Sequence, residues 1–297
     1  MEWLILLVLV PAILVPVVLL GGFAGCSILY DPDNLPERPL PDAPTNLSAR
    51  GINVSAIALT WNNPNTVPVT FKIERIREGD NDPTFLDAPA SPFQDPGLEE
   101  GTAYFYHVRA IRTDDGESSA LSEAASASTF GRAFSADLAT DQSGLEGFCI
   151  VQRIEPPRLL RSGARVNITV RGSTTGTLTL DKITISQLAT SGDPYDSHAD
   201  LTEVASSVVV PANTAITLPT INYAFDRTRP LLIAFDISAT PGLGNVRSVL
   251  LPGSVHYFRA ATQQASVQDR FPDPANPLLT YSTGQGRHYL VERIEVA

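Results

Sequence analysis

Residues 98–110 read LEEGTAYFYHVRA, and this stretch decides how the first half of the chain folds. A polar turn leads into a run in which Tyr104, Tyr106 and two smaller apolar residues occupy every second position. That spacing is typical of a strand with one buried face. Two other β-rich runs, ALTW (58–61) and VTFKIERI (69–76), precede it and are separated by turn-rich segments. Regular strand spacing without helical periodicity predicts an antiparallel sandwich.

The same region resembles a fibronectin type III domain over residues 44–129. The resemblance rests on spaced positions: Pro44, Leu47, Trp61, Leu98, Gly101, Thr102, Tyr104, Tyr106, Val108 and Ala110. It implies that Trp61 is buried between two sheets and that the Tyr104 hydroxyl bonds back to the backbone at a corner. Such domains usually serve as spacers or binding scaffolds. The chain has no Arg-Gly-Asp sequence, so the resemblance does not imply integrin-type adhesion.

Residues 130–297 are also β-rich, and we expect an eight-stranded jelly roll or a related two-sheet sandwich. The candidate strands are GFCIVQRI (147–154), RVNITVRG (165–172), TLTLDKITISQL (177–188), SSVVVP (206–211), AITLP (215–219), PLLIAFDIS (230–238), VHYFRAAT (255–262) and HYLVERIEV (288–296). No long helical stripe of apolar residues interrupts them, so the sequence predicts an all-β protein with almost no helix after the N-terminal segment.

This second region resembles the lectin-like jelly-roll domains of phage tail and surface proteins. The resemblance rests on LDKITISQLATSGDPYDS (180–197), VPANTAITLP (210–219) and GRHYLVERIEV (286–296). It implies a virion surface or tail component that attaches to a receptor.

The N-terminal segment, residues 1–28, is mostly apolar. No residue from Trp3 to Tyr30 carries a charge. It is long enough to cross a bilayer, which takes about 20 apolar residues. The alternative is a lipoprotein signal, because Phe23-Ala24-Gly25 precedes Cys26 as a small-residue box precedes a lipidated cysteine. Either reading predicts a membrane-anchored protein on an extracytoplasmic or virion surface, with residues 29–43 as a proline-rich linker.

The composition excludes several classes of function. A formal net charge of −11 argues against nucleic acid as a partner. Cys26 and Cys149 are the only cysteines, which rules out an internal disulfide framework. No nucleophile elbow, zinc-protease motif or phosphate loop is present, so we expect a protein that is not an enzyme.

An acidic loop, SGDPYDSHADLTE (191–203), is the first candidate site. Asp193, Asp196 and Asp200 place three carboxylates on one loop, and calcium takes six to eight oxygen ligands. A structural calcium ion is therefore one prediction, and otherwise we expect no cofactor. A solvated acidic turn opened by Asp193-Pro194 is the alternative.

A long loop, QQASVQDRFPDPANPL (263–278), is the second candidate site. Aromatic and polar groups displayed together suit sugar recognition, and long loops in compact domains are often functional. The predicted ligand-binding residues are Arg270, Phe271, Asp269, Asp273 and, from the acidic loop, Tyr195. The alternative for Phe271 is that its ring caps the core.

These observations predict a non-catalytic protein that displays a receptor- or glycan-binding sandwich on a fibronectin type III stalk. The expected partners are a membrane, a cell-surface glycan or protein receptor, and copies of the chain in a homo-oligomer. Two alternatives remain open. One is an envelope lipoprotein acting as the carbohydrate-binding accessory subunit of an enzyme system, and the other is a self-assembling subunit of a surface fibre.

Overall fold

The computed structural model describes residues 38–270 and 281–297. Within them, Leu40–Ala297 form one compact unit. It contains two β-sandwiches, each around its own hydrophobic core. In the part of the chain that the structure describes, the only helical element is a 3-10 turn at Pro156–Arg158. The predicted all-β architecture is therefore confirmed.

The first sandwich has seven strands. They are β1 (Thr45–Asn53), β2 (Ala56–Asn62), β3 (Val69–Arg77), β4 (Thr84–Ala88), β5 (Phe93–Pro96), β6 (Ala103–Arg112) and β7 (Ala125–Ser128). One sheet has the order β1-β2-β5 and the other the order β4-β3-β6-β7, with all pairs antiparallel.

The core of the first sandwich follows the alternation of the sequence. Trp61 is buried between the sheets, and its ring packs edge-on against Phe71 with the centroids 5.2 Å apart. The Tyr104 hydroxyl accepts the backbone N–H of Glu99 at 2.9 Å, which closes the corner before β6. Both contacts confirm what the fibronectin type III resemblance implies.

The second sandwich has twelve strands in the described residues. They are β8 (Gly131–Ser135), β9 (Thr140–Gln142), β10 (Cys149–Ile154), β11 (Gly163–Arg171), β12 (Leu178–Gln187), β13 (Thr202–Val210), β14 (Ala215–Thr217), β15 (Ile221–Phe225), β16 (Leu231–Ile237), β17 (Val246–Arg259), β18 (Ser282–Tyr289) and β19 (Val291–Val296). The larger sheet has the order β13-β12-β16-β10-β17-β18, with β9 also paired to β17. The smaller sheet has the order β14-β11-β19-β8, with β15 also paired to β11.

Strand β16 lies beneath the loops that form the candidate site. All seven of its residues are buried, as expected for a strand that is covered on both faces. Leu231, Ile233 and Phe235 pack into the main core between the two sheets. Leu232 and Ala234 belong to a second, smaller cluster on the opposite face. Loops cover this opposite face, and those loops form the candidate site.

The sequence underestimates the number of strands and places one boundary wrongly. HYLVERIEV was expected to be a single strand, but the chain changes sheets within it, from β18 to β19. The change occurs at Leu290, which has a φ of 61° and is fully buried. A positive φ in a branched residue is unusual and turns the chain sharply. Tyr289 and Val291 therefore lie in different sheets and do not share one strand face.

The predicted anchor, Cys26 and most of the proline-rich linker lie outside the described residues. Among the residues that are described, the structure has no helix of the length and apolar character needed to span a membrane.

Candidate functional site

The two loops singled out in the sequence meet in the structure. The acidic loop, taken here as residues 189–200, follows β12, and the second loop, residues 260–270, follows β17. The backbone N–H of Ser197 donates to the carbonyl of Gln268 at 2.9 Å. The backbone N–H of Arg270 donates to Oδ1 of Asp196 at 2.8 Å. These two hydrogen bonds join segments that are more than 70 residues apart in the sequence.

Local hydrogen bonds fix the shape of the acidic loop. The N–H of Asp193 donates to Oδ2 of Asp196 at 2.7 Å, and the N–H of Asp196 donates to the carbonyl of Asp193 at 3.0 Å. Gly192 has a φ of 99°, and a Cβ on it would lie 2.7 Å from Oδ2 of Asp196. Glycine is therefore required at this position both for the backbone conformation and for space.

Arg270 was predicted to contact a ligand, but the structure places it in the interior with only 2% of its surface exposed. Its guanidinium donates to the carbonyl of Tyr195 at 2.6 Å, to Oγ of Ser197 at 2.8 Å and to the carbonyl of Ala265 at 3.0 Å. Burial lowers the pKa of this guanidinium. Arg270 therefore links the two loops by hydrogen bonds in the protein interior, and its charge does not face solvent.

Tyr195 is also buried, with 6% of its surface exposed. Its ring lies 5.2 Å from that of Tyr257 and 4.7 Å from that of Tyr281, measured between centroids. Burial raises the pKa of the Tyr195 hydroxyl to about 12. This residue belongs to the small cluster on the outer face of the larger sheet, so it supports the acidic loop and does not offer a ring to a sugar.

Asp236 on β16 holds the second loop in place by hydrogen bonds, and the sequence analysis did not identify it. Its carboxylate is 1% exposed and accepts the backbone N–H groups of Gln264 and Ala265 at 3.0 Å each. Burial raises its pKa above the ordinary range. A single acid inside the apolar run PLLIAFDIS was the available signal, because a buried carboxylate needs donors from a neighbouring segment.

In front of these supports the two loops form an open pocket of about 450 Å³. Its polar lining includes Asp193, Asp196, His198, Gln268 and Asp269. Burial raises the pKa of Asp193, and the negative charges of Asp196 and Asp269 raise it further. Three carboxylates therefore influence the same pocket, and hydroxyl groups of a ligand are suitable donors to them.

Asp200 does not join this pocket. Its carboxylate accepts the N–H of Gln187 at 3.2 Å and the hydroxyl of Tyr223 at 2.8 Å. Both oxygens of Asp196 already accept backbone N–H groups. Within residues 38–270 and 281–297, no three His, Cys, Asp or Glu side chains are grouped so as to hold a metal ion. The expected set of Asp193, Asp196 and Asp200 is thus divided between two places, and calcium binding stays a prediction.

Phe271 and Asp273, the other two predicted ligand contacts, lie outside the described residues. Cys149 is fully buried in the small cluster, as expected for a small apolar residue, and burial raises the pKa of its thiol.

Comparison with known proteins identifies the first sandwich. Residues 42–127 match the family model of the fibronectin type III domain. The chain therefore carries a fibronectin type III domain, close to the boundaries that the sequence predicts.

Several solved structures are similar over a domain-sized part of the chain. A myokine structure is 25% identical, with 30% of this chain and 97% of that one covered and a TM-score of 0.27. An Fn3-like protein from Clostridium thermocellum is 25% identical, with 30% and 92% covered and a TM-score of 0.26. The FN5 domain of Drosophila Lar is 23% identical, with 30% and 97% covered and a TM-score of 0.26. A search of curated proteins gives no match.

Proposed function

We propose that this chain is a non-catalytic surface protein in which a fibronectin type III domain carries a ligand-binding β-sandwich. Residues 1–28 would anchor it to a membrane, on a bacterial envelope or on a membrane-containing virion. The ligand would be a cell-surface glycan or a glycosylated receptor, bound in the pocket between residues 189–200 and the loop after β17.

The convergence of the two loops is the observation that carries this proposal. Buried Arg270 and Asp236 hold the loops by hydrogen bonds to backbone groups. Rigid support behind an open polar pocket is what a binding site requires, because little conformational entropy is then lost on binding. The pocket volume also lies within the range of about 300–1,000 Å³ that is usual for small-molecule sites.

The chemistry of the pocket favours a neutral, hydroxyl-rich ligand. Asp193 and Asp269 are acceptors that match sugar hydroxyls, and Gln268 offers both a donor and an acceptor. An anionic ligand would be repelled by the carboxylates, so acidic sugars are not the expected occupants of this pocket.

The test is a glycan-array and cell-binding comparison of the full chain with its Asp193→Asn and Asp269→Asn variants. Loss of one charge-assisted hydrogen bond should weaken binding about tenfold or more. Asp80→Asn is the matched control, because Asp80 is exposed in the first sandwich and distant in sequence from both loops. Equal binding by all three variants and the parent chain would refute the assignment of the pocket.

The membrane attachment is tested by the intact mass of the protein from its native source. A mass that begins at Met1 supports a retained anchor helix, and a lipid-modified mass that begins at Cys26 supports a lipoprotein.

Sedimentation of the Asp269→Asn variant separates ligand binding from self-assembly. If the substitution dissolves an oligomer and leaves glycan binding unchanged, the loops are an assembly surface.

A further inference from the structure

The two sandwiches are joined by a short, tightly bonded junction. Only Thr129 and Phe130 separate β7 from β8. The N–H of Phe130 donates to the carbonyl of Asn53 at 3.0 Å, and its carbonyl accepts the N–H of Gly101 at 3.0 Å. Phe130 is fully buried. Both backbone groups of the connecting residue are therefore bonded to the first sandwich.

Close packing at the junction depends on glycine. A Cβ on Gly51 would lie 2.1 Å from the carbonyl oxygen of Ser128. A Cβ on Gly101 or on Gly131 would lie 1.5 Å or 1.9 Å from Nη1 of Arg161. The side chain of Arg161 thus occupies the space that these two glycines leave free. A packed junction of this kind fixes the surfaces on either side of it.

One of these surfaces is a cleft of about 480 Å³ between β1, β7 and the second sandwich. Its lining includes Ser48, Arg50, Ser128, Arg165, Asn222 and Ala297. This lining contains two arginines and no Asp or Glu side chain, although the chain has 32 acidic and 21 basic residues. The cleft is therefore a site of positive charge on a negatively charged protein. Even a carboxylate at Ala297 would leave it with more positive than negative groups.

Arg165 is held in position by the junction. Its Nη1 donates to the carbonyl of Gly51 at 2.8 Å, and its guanidinium carbon lies 4.9 Å above the centre of the Phe130 ring. In the described residues, neither Arg165 nor Arg50 forms an ion pair with an acidic side chain. Burial lowers the pKa of Arg165, and the positive charge of Arg50 lowers it further. Both arginines line the same cleft, so an anion bound there would be attracted by both guanidinium groups.

We propose that this cleft is a binding site for the carboxylate or sulfate group of an acidic glycan. Arginine pairs with such planar or tetrahedral oxyanions through two parallel hydrogen bonds. Ser48, Ser128 and Asn222 supply hydroxyl and amide groups for the neighbouring sugar hydroxyls. The volume exceeds what a lone ion needs and lies within the range of small-molecule sites. This site is separate from the acidic pocket and takes ligands of the opposite charge.

The experiment uses the full chain and titration calorimetry with three probes: an oligogalacturonate, a sulfated dextran oligosaccharide and a neutral dextran oligosaccharide of the same length. At least one anionic probe should bind, the neutral probe should not, and added salt should weaken binding. Arg50→Gln should reduce the affinity about tenfold or more. Arg50 is exposed and makes none of the junction contacts, so this substitution leaves the fold intact.

Two matched variants complete the test. Arg77→Gln removes the same charge from a residue that pairs with Glu99 outside the cleft, and should leave the affinity unchanged. Arg165→Lys keeps the charge but loses the fork geometry, and should weaken binding. Equal loss of affinity in Arg50→Gln and Arg77→Gln would reduce the effect to net charge and overturn the proposal. Inorganic sulfate and phosphate are titrated separately, and binding of either ion without binding of an anionic oligosaccharide would also overturn the proposal. The Asp193→Asn variant should bind these probes normally, so failure here does not bear on the acidic pocket.

Discussion

His288 should make the stability of the second sandwich depend on pH. The imidazole is fully buried, and its Nε2–H donates to the carbonyl of Val291 at 2.8 Å. Its Nδ1 has no hydrogen-bond partner among the described residues, and the ring packs on Phe134 with centroids 4.8 Å apart. Burial, together with the positive charge of Arg158, lowers its pKa to about 4.

The expected magnitude follows from proton linkage. An unfolded histidine has a pKa of about 6.5, so the unfolded chain binds more protons than the folded one between about pH 6.5 and pH 4. The contribution of neutral His288 to stability is complete above about pH 7 and is lost as the pH falls. With a folded pKa of about 4, the loss between about pH 8 and pH 5 is about 2 kcal/mol, and the full loss below both pKa values is about 3 kcal/mol.

The assay is urea unfolding of the parent chain and of His288→Gln, which stays neutral and keeps a donor for the Val291 carbonyl. Near-UV circular dichroism follows the buried tyrosines of both sandwiches, of which four lie in the second and two in the first. Fluorescence, measured with Trp3→Phe in both proteins, reports on the first, because Trp61 is then the one tryptophan of the chain. The difference in unfolding free energy between the two proteins should change by about 2 kcal/mol between about pH 8 and pH 5.

Val291→Ala is the matched control, since Val291 is fully buried in the same core and does not titrate. It should destabilise the sandwich by a similar amount at both pH values. A difference between parent and His288→Gln that is the same at both pH values would refute the reasoning.

Two further predictions concern single hydrogen-bonding groups. Arg270→Met keeps the apolar stem but leaves the carbonyl of Tyr195 without its donor and removes one of two donors from Ser197 and from Ala265. It should therefore cost about 3 kcal/mol of second-sandwich stability in the same urea assay. An unchanged midpoint would show that the two loops do not need this guanidinium. Tyr104→Phe removes the corner hydrogen bond to Glu99 and should cost about 1 kcal/mol, seen in Trp61 fluorescence. A loss near zero would mean that water replaces the hydroxyl at no cost.

The candidate site was only partly predictable. The sequence located both loops, because runs of polar residues between apolar strands are local signals. It assigned Arg270 and Tyr195 to a ligand, whereas the structure buries both of them. A charged or aromatic side chain in a loop faces solvent or the core according to what packs beside it. Asp236 and the Arg50–Arg165 cleft were missed for a related reason, since each depends on a neighbour that is distant along the chain.

By itself the sequence determined the fold class and the fibronectin type III domain. Alternation in strands such as VTFKIERI and the corner around Tyr104 are local features, set by side-chain period and turn chemistry within a few residues. Only the tertiary structure decided where HYLVERIEV changes sheets at Leu290 and how Asp196 meets the backbone of Arg270. These outcomes depend on the pairing of segments far apart in sequence, and the free energy of such pairing comes from burial that no single segment contains.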